Sequence, residues 1–114
     1  MAQTNTSQML KGVLQGCLLI ILNDEPSYGY AIMQRLTGFG FGDVPKGTIY
    51  PLLLTMERKQ LIASTMQQSP DGPERKYYHL TATGQAERQS FIADWHNLQH
   101  NVTQVMALED EQND

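Results

Sequence analysis

Lys46, Thr48 and Tyr50 stand within Pro45-Lys46-Gly47-Thr48-Ile49-Tyr50-Pro51-Leu52-Leu53, where a cation and two hydroxyls open what reads as a helix. A helix that reads DNA enters the major groove by its N-terminal end, where unpaired N–H groups and the positive end of the macrodipole face phosphate. Lys46 adds charge at that end, and the hydroxyls of Thr48 and Tyr50 can bond phosphates or base edges. Ile49, Leu52, Leu53 and Met56 recur at three- and four-residue spacing on the opposite side, which a core would take. Pro51 fits this helix if it lies in about the first turn, where its missing N–H costs little. The same pattern also suits an ordinary amphipathic core helix, so the neighbouring elements must decide.

Other residues with chemical potential are sparser. Arg75 and Lys76 follow the turn signal Ser69-Pro70-Asp71-Gly72-Pro73, where a contact to a phosphate backbone would need them. His96 and His100 are four apart on a helical stretch, but a structural zinc site wants about four ligands and nothing nearby supplies them. His79 stands alone, no nucleophile is paired with a base, and there is no phosphate-cradling glycine loop. The chain is therefore expected to hold no metal or cofactor and to be no enzyme. Cys17 lies in an apolar stripe and reads as a buried, inert thiol.

The elements that would position these residues follow from periodicity. Met9, Leu10, Val13, Leu14, Cys17, Leu18 and Ile21 recur at helical spacing over about 7–22, with Thr6 or Ser7 as cap. Asn23-Asp24-Glu25-Pro26-Ser27 reads as a turn, and Ser27 can cap a second helix carrying Tyr28, Ile32, Met33 and Leu36 that stops near Gly38. A glycine-rich connection, Phe39 to Asp43, leads to the third helix, expected from about Pro45 to Lys59. Leu61–Met66 and Arg75–Leu80 read as two strands of a hairpin. Thr81 to Gly84 offers a cap for a last helix reaching about Leu108. The order α-α-α-β-β-α predicts a mainly α (α+β) winged helix-turn-helix with a long C-terminal helix.

Length and charge agree with that reading. At 114 residues the chain is long enough for one core. The net charge of −4 argues at first against nucleic acid, but the charge is unevenly spread. Residues 1–82 carry seven Lys and Arg against six acids, whereas 83–114 carry one against six. The expected division is a DNA-binding domain over 1–82, a dimerisation helix over 83–108 and an acidic disordered tail over 109–114. The longest apolar run, Cys17–Leu22, falls far short of the roughly 20 residues that span a bilayer. The N-terminus resembles no signal peptide and a lone cysteine forms no internal disulfide, so a cytoplasmic location and no membrane partner are expected.

Three stretches in this order resemble the PadR-like transcriptional regulators. Tyr28-Gly29-Tyr30-Ala31-Ile32 is similar to that family's second-helix signature and Gly47-Thr48-Ile49-Tyr50-Pro51-Leu52-Leu53 to its recognition-helix opening. Gly72-Pro73-Glu74-Arg75-Lys76-Tyr77-Tyr78-His79-Leu80-Thr81, with Gly84, is similar to its wing and exit. The resemblance implies a dimeric repressor that binds double-stranded DNA at a pseudo-palindromic operator, in the small subgroup with a single C-terminal helix that includes multidrug-sensing members. The DNA-binding candidates are then Tyr28, Lys46, Thr48, Tyr50, Arg75 and Lys76. The chain departs from the family pattern at Leu54 and Thr55, where basic residues are common, at Gln60, where glycine often ends the helix, and at Glu74 beside the basic pair.

The last helix supplies a dimer seam. Phe91, Trp95, Leu98, Val102 and Val105 are spaced four, three, four and three, as in paired helices, and helix 7–22 is expected to join the same interface. In related small regulators a tryptophan eleven residues after the wing-exit glycine, here Trp95, lines a pore between subunits and stacks on planar aromatic drugs. The resemblance thus implies an effector site at Trp95, with Asp94 attracting a cationic ligand and Met9, Leu10, Val13, Cys17 and Leu98 as walls. The alternative is a winged-helix module that acts only in protein–protein assembly, without DNA.

Overall fold

Of the elements in the computed structural model, which describes residues 5–112, the first is a helix whose apolar side anchors the rest. The order is α1 (Asn5–Asp24), β1 (Ser27–Tyr28), α2 (Gly29–Gly38), α3 (Lys46–Arg58), β2 (Ile62–Ser69), β3 (Gly72–Leu80) and α4 (Ala82–Gln112). This is the expected α+β winged helix-turn-helix with a long C-terminal helix, with one added strand. Ser27 and Tyr28, read as a helix cap and first helical residue, instead pair antiparallel with Tyr78 and Tyr77, giving a three-stranded sheet of order β1-β3-β2. Two residues between a turn and a helix carry too little periodicity to reveal a strand; pairing with a distant partner creates it.

The core gathers one face of α1, α2, α3 and the β2–β3 hairpin. Leu14, Leu18, Leu19, Ile21 and Leu22 of α1 meet Ile32 and Leu36 of α2, Ile49, Leu53 and Met56 of α3, and Ile62 and Tyr78 of the sheet. The α3 side chains are those its spacing predicted, with Leu52 packed at the edge. Val44, in the loop before α3, is buried as well, tying the α2–α3 connection to the core. Arg35 of α2 reaches back to α1, pairing with Asp24 at 3.0 Å and donating to the Ile21 carbonyl at 3.4 Å.

The hairpin is longer than expected because its turn is tighter. β2 and β3 pair from Ile62↔Leu80 out to Ser69↔Gly72, leaving Pro70 and Asp71 as the turn, and Gly72 takes φ +126°, open to glycine at little cost. At the other end Thr81 caps α4: its Oγ1 accepts from the Gly84 amide at 3.0 Å, as the sequence suggested. The wing and α4 are thus joined within one residue of each other.

Two helix boundaries and the place of Pro51 differ from expectation. α1 starts at Asn5, so Thr6 and Ser7 fall inside it rather than capping it. α4 continues through Glu109–Gln112, the stretch expected to begin a disordered tail, while 113–114 lie outside the described residues. Pro51 is the sixth residue of α3, not part of its first turn, and its missing N–H leaves the Gly47 carbonyl without the usual in-helix donor. Gly47 is exposed, so water can serve that carbonyl.

Candidate nucleic-acid interface

α3 begins bare. Its N-cap is Pro45, and no side chain caps the helix; the Thr48 and Ile49 amides turn back to the Pro45 carbonyl at 2.9 and 3.2 Å. Its first-turn residues Lys46, Gly47 and Thr48 are exposed, and with the Thr48 amide turned to Pro45 the Lys46 and Gly47 amides are the ones open to an anion. Leu54, on the exposed side of the following turns, adds no polar contact.

Tyr50 is set by a glycine. Its ring lies against Gly29 so closely that a Cβ built there would sit 2.5 Å from Cε1 and 2.9 Å from the hydroxyl, yet the side chain stays 42% exposed. Gly29 follows Tyr28, whose ring carries the Arg75 guanidinium at 4.4 Å and meets the edge of Tyr77 at 5.3 Å. Arg75, Tyr28, Gly29 and Tyr50 therefore form a continuous packed run from the wing to the recognition helix. Asp71 also reaches Arg75, at 3.5 Å, but with its own side chain largely in solvent this pair holds Arg75 weakly.

Lys76 is placed differently from Arg75. Neighbouring residues on a strand point to opposite faces, so Arg75 shares a face with Tyr77 while Lys76 shares the inner face with Tyr78. Lys76 Nζ lies 3.0 Å from Glu57 Oε1 at the last turn of α3 and 5.4 Å from the centre of the Tyr78 ring. Ser64 of β2 donates to Glu57 Oε2 at 2.7 Å. These hydrogen bonds, first Ser64 and then Lys76, hold the Glu57 carboxyl below the usual carboxylate range, and Glu57 in turn raises Lys76. Burial pushes the Tyr78 hydroxyl up. Glu57, Ser64 and the Gly29 seat escaped the sequence reading; strand alternation alone would have separated Arg75 from Lys76.

The far end of the molecule carries the other expected residues. Phe91 packs within the chain: its ring closes on Gly16 of α1, where any side chain would collide with it, and the residue stays partly exposed. Beyond this crossing every residue of α4 from 93 to 110 is exposed, including Asp94, Leu98, Val102 and Val105. Trp95 is 39% exposed and Met9 73%, while Val13 and Cys17 are half-buried. Burial raises the Cys17 thiol above its ordinary value. Among the described residues no three His, Cys, Asp or Glu gather as metal ligands, and no helix is long and apolar enough to cross a membrane.

Comparison with known proteins agrees with this architecture. Residues 18–90 match the model of the transcriptional regulator PadR-like family. The chain is similar to a crystal structure of a PadR-like transcriptional regulator from Bacillus cereus, with 43% identity, 87% of this chain and 96% of that one covered, and a TM-score of 0.80. A Streptococcus transcriptional regulator is 40% identical over 90% of this chain and 98% of its own, also with a TM-score of 0.80. A protein of Lysinibacillus sphaericus with no described activity is 26% identical, covering 88% of this chain and 94% of its own. The family is one of regulators rather than enzymes. With matches that run through the helix-turn-helix and the wing, the chain belongs to the PadR-like family of DNA-binding transcriptional regulators.

Proposed function

We propose that the chain works as a homodimeric repressor whose α3 opening and wing hold operator DNA and whose α1 and α4 hold its partner. The observation that carries this reading is the pair of apolar stripes a single chain leaves uncovered. Trp95, Leu98, Val102 and Val105 run along the exposed part of α4, and Met9, Val13, Cys17 and Ile20 line a second, only partly covered face of α1. Exposed apolar area of this kind on two elements marks an interaction surface, and a second copy offers the matching stripes by symmetry. A twofold pair presents two recognition helices, which favours a pseudo-palindromic site. Occupying such a site over a promoter represses by exclusion.

At the DNA end, Lys46 with the open α3 amides, Thr48, Tyr50 and Arg75 on Tyr28 supply the contacts. Trp95 lies in the uncovered stripe, so pairing would enclose its ring between subunits, where a planar aromatic effector could stack and change the spacing of the two α3 helices. Asp94, beside it, favours a cation, and Met9, Val13 and Leu98 supply apolar wall.

A gel-shift against the chain's own upstream region, titrated with salt, tests the DNA contacts. Lys46→Ala and Arg75→Gln should each weaken binding and lower the slope of log K against log salt by about 0.9. Salt-insensitive association, or none with duplex DNA, would favour the protein–protein module instead. Quenching of Trp95 by planar dyes, with release of DNA, tests the effector site; no quenching across a broad dye panel removes it.

A further inference from the structure

Glu57 ties the wing to the recognition helix. One of its carboxylate oxygens takes the Ser64 hydroxyl of β2 at 2.7 Å and the other takes Lys76 of β3 at 3.0 Å. Both strands are therefore held by a single side chain in the last turn of α3. The outer half of the hairpin beyond this point, Met66 to Glu74, is exposed on nearly every residue and is fixed by little besides its own ladder. Beside the Arg75–Tyr28 stack and the β1 pairing, the Glu57 grip thus bears on the angle between the wing tip and α3. The inner face offers Lys76 a second support, the Tyr78 ring at 5.4 Å, and leaves its charge satisfied before any ligand arrives.

A carboxylate beside a DNA-facing surface opposes a polyanion, and this one also neutralises a wing lysine. We propose that Glu57 is a positioning residue that sets the wing against the recognition helix through Lys76 and Ser64, so that Lys76 is a strut and Arg75 is the wing's phosphate contact. The inference rests on the DNA-binding reading. It divides a basic pair adjacent in sequence into two separate jobs, according to which face of β3 each side chain leaves. It also reverses the electrostatic expectation for Glu57: removing an acid near DNA should tighten binding by charge alone, whereas removing a strut loosens it.

The test uses the full chain, a duplex from its own upstream region and a non-specific duplex of equal length, with affinity measured across salt. Glu57→Gln and Lys76→Met should each weaken binding about two- to fivefold with the salt slope unchanged, whereas Arg75→Gln lowers the slope by about 0.9. The exchanged pair E57K/K76E restores the strut with the opposite polarity and should return both affinity and slope to the wild-type values. Amide hydrogen exchange in the hairpin should quicken in Glu57→Gln and recover in the exchanged pair, a readout independent of DNA. A Lys76→Met variant whose slope falls by about 0.9, or a Glu57→Gln variant that binds DNA more tightly, overturns the proposal. Failure of the wild-type chain to bind either duplex at any salt overturns the DNA-binding reading itself, a different result from a changed slope.

Discussion

Gln60 has a backbone that its side chain disfavours. It follows α3 with φ +61°, the left-handed conformation that glycine takes most easily after a helix, and here a glutamine with an exposed side chain occupies it. Gln60→Gly should raise stability by about 0.5–1 kcal/mol, measured by urea unfolding, since relief of the strain exceeds the added freedom of the unfolded chain. The departure from the family pattern at this position is thereby explained as tolerated strain, not a different turn. Glu57 supplies a pH prediction at the same scale. Its folded carboxyl lies below the ordinary 4.5, so its contribution is complete above that value and is lost as pH falls through the folded value. Lys76 lies above the ordinary 10.5, so its contribution is complete below that and is lost as pH rises through its folded value. The groups facing Glu57 are Ser64 and Lys76, with Tyr78 behind the lysine. The stability difference between wild type and Glu57→Gln should then be flat from about pH 5 to 10 and shrink in acid, as thermal unfolding across pH would show.

Besides the Gly29 seat of Tyr50, elements meet through glycines at two further crossings. Gly16 lets the Phe91 ring lie directly on α1, which fixes where α4 leaves the body. Gly84, in the first turn of α4, packs on the Leu61 carbonyl, the same carbonyl that accepts the Thr81 amide at 3.1 Å and the Thr81 hydroxyl at 3.1 Å. A methyl at Gly84 meets backbone that cannot rotate away. Gly84→Ala should therefore cost about 1–3 kcal/mol in unfolding free energy, while the exposed Gly38→Ala, with open space around it, should not destabilise comparably. The Thr81 cap and the α3 core stripe were legible from spacing, because both depend on residues within a turn or two of each other. β1 was not, because its two residues become a strand only by pairing with Tyr77 and Tyr78, some fifty positions away.

At the scale of the molecule, α4 gives the chain its elongated outline, 61 by 34 by 23 Å, since its 31 residues make a rod of about 46 Å. A helix so exposed, with an apolar stripe, is stable only if something covers it. Leu98→Asp, in the middle of the stripe, should shift sedimentation toward the monomer and weaken operator binding about tenfold or more, without changing the fold of the winged-helix body seen by circular dichroism. A monomeric wild-type chain at micromolar concentration would contradict the proposed assembly.

Periodicity and local chemistry determined the winged-helix class, the α3 opening, the wing turn and the cap of α4, because each is written in residues close together along the chain. The apolar spacing of α4 was equally legible, although the contact of Phe91 with Gly16 was not. Only the tertiary structure decided that Arg75 rests on Tyr28 while Lys76 is held by Glu57, and that Tyr50 is seated on Gly29. The contacts from Tyr28 to Arg75 and from Glu57 to Lys76 span 47 and 19 positions, and local pattern carries no information about partners that distant. The physical reason is that charge and hydroxyl placement follow from strand faces and helix crossings, which exist only once the core has closed.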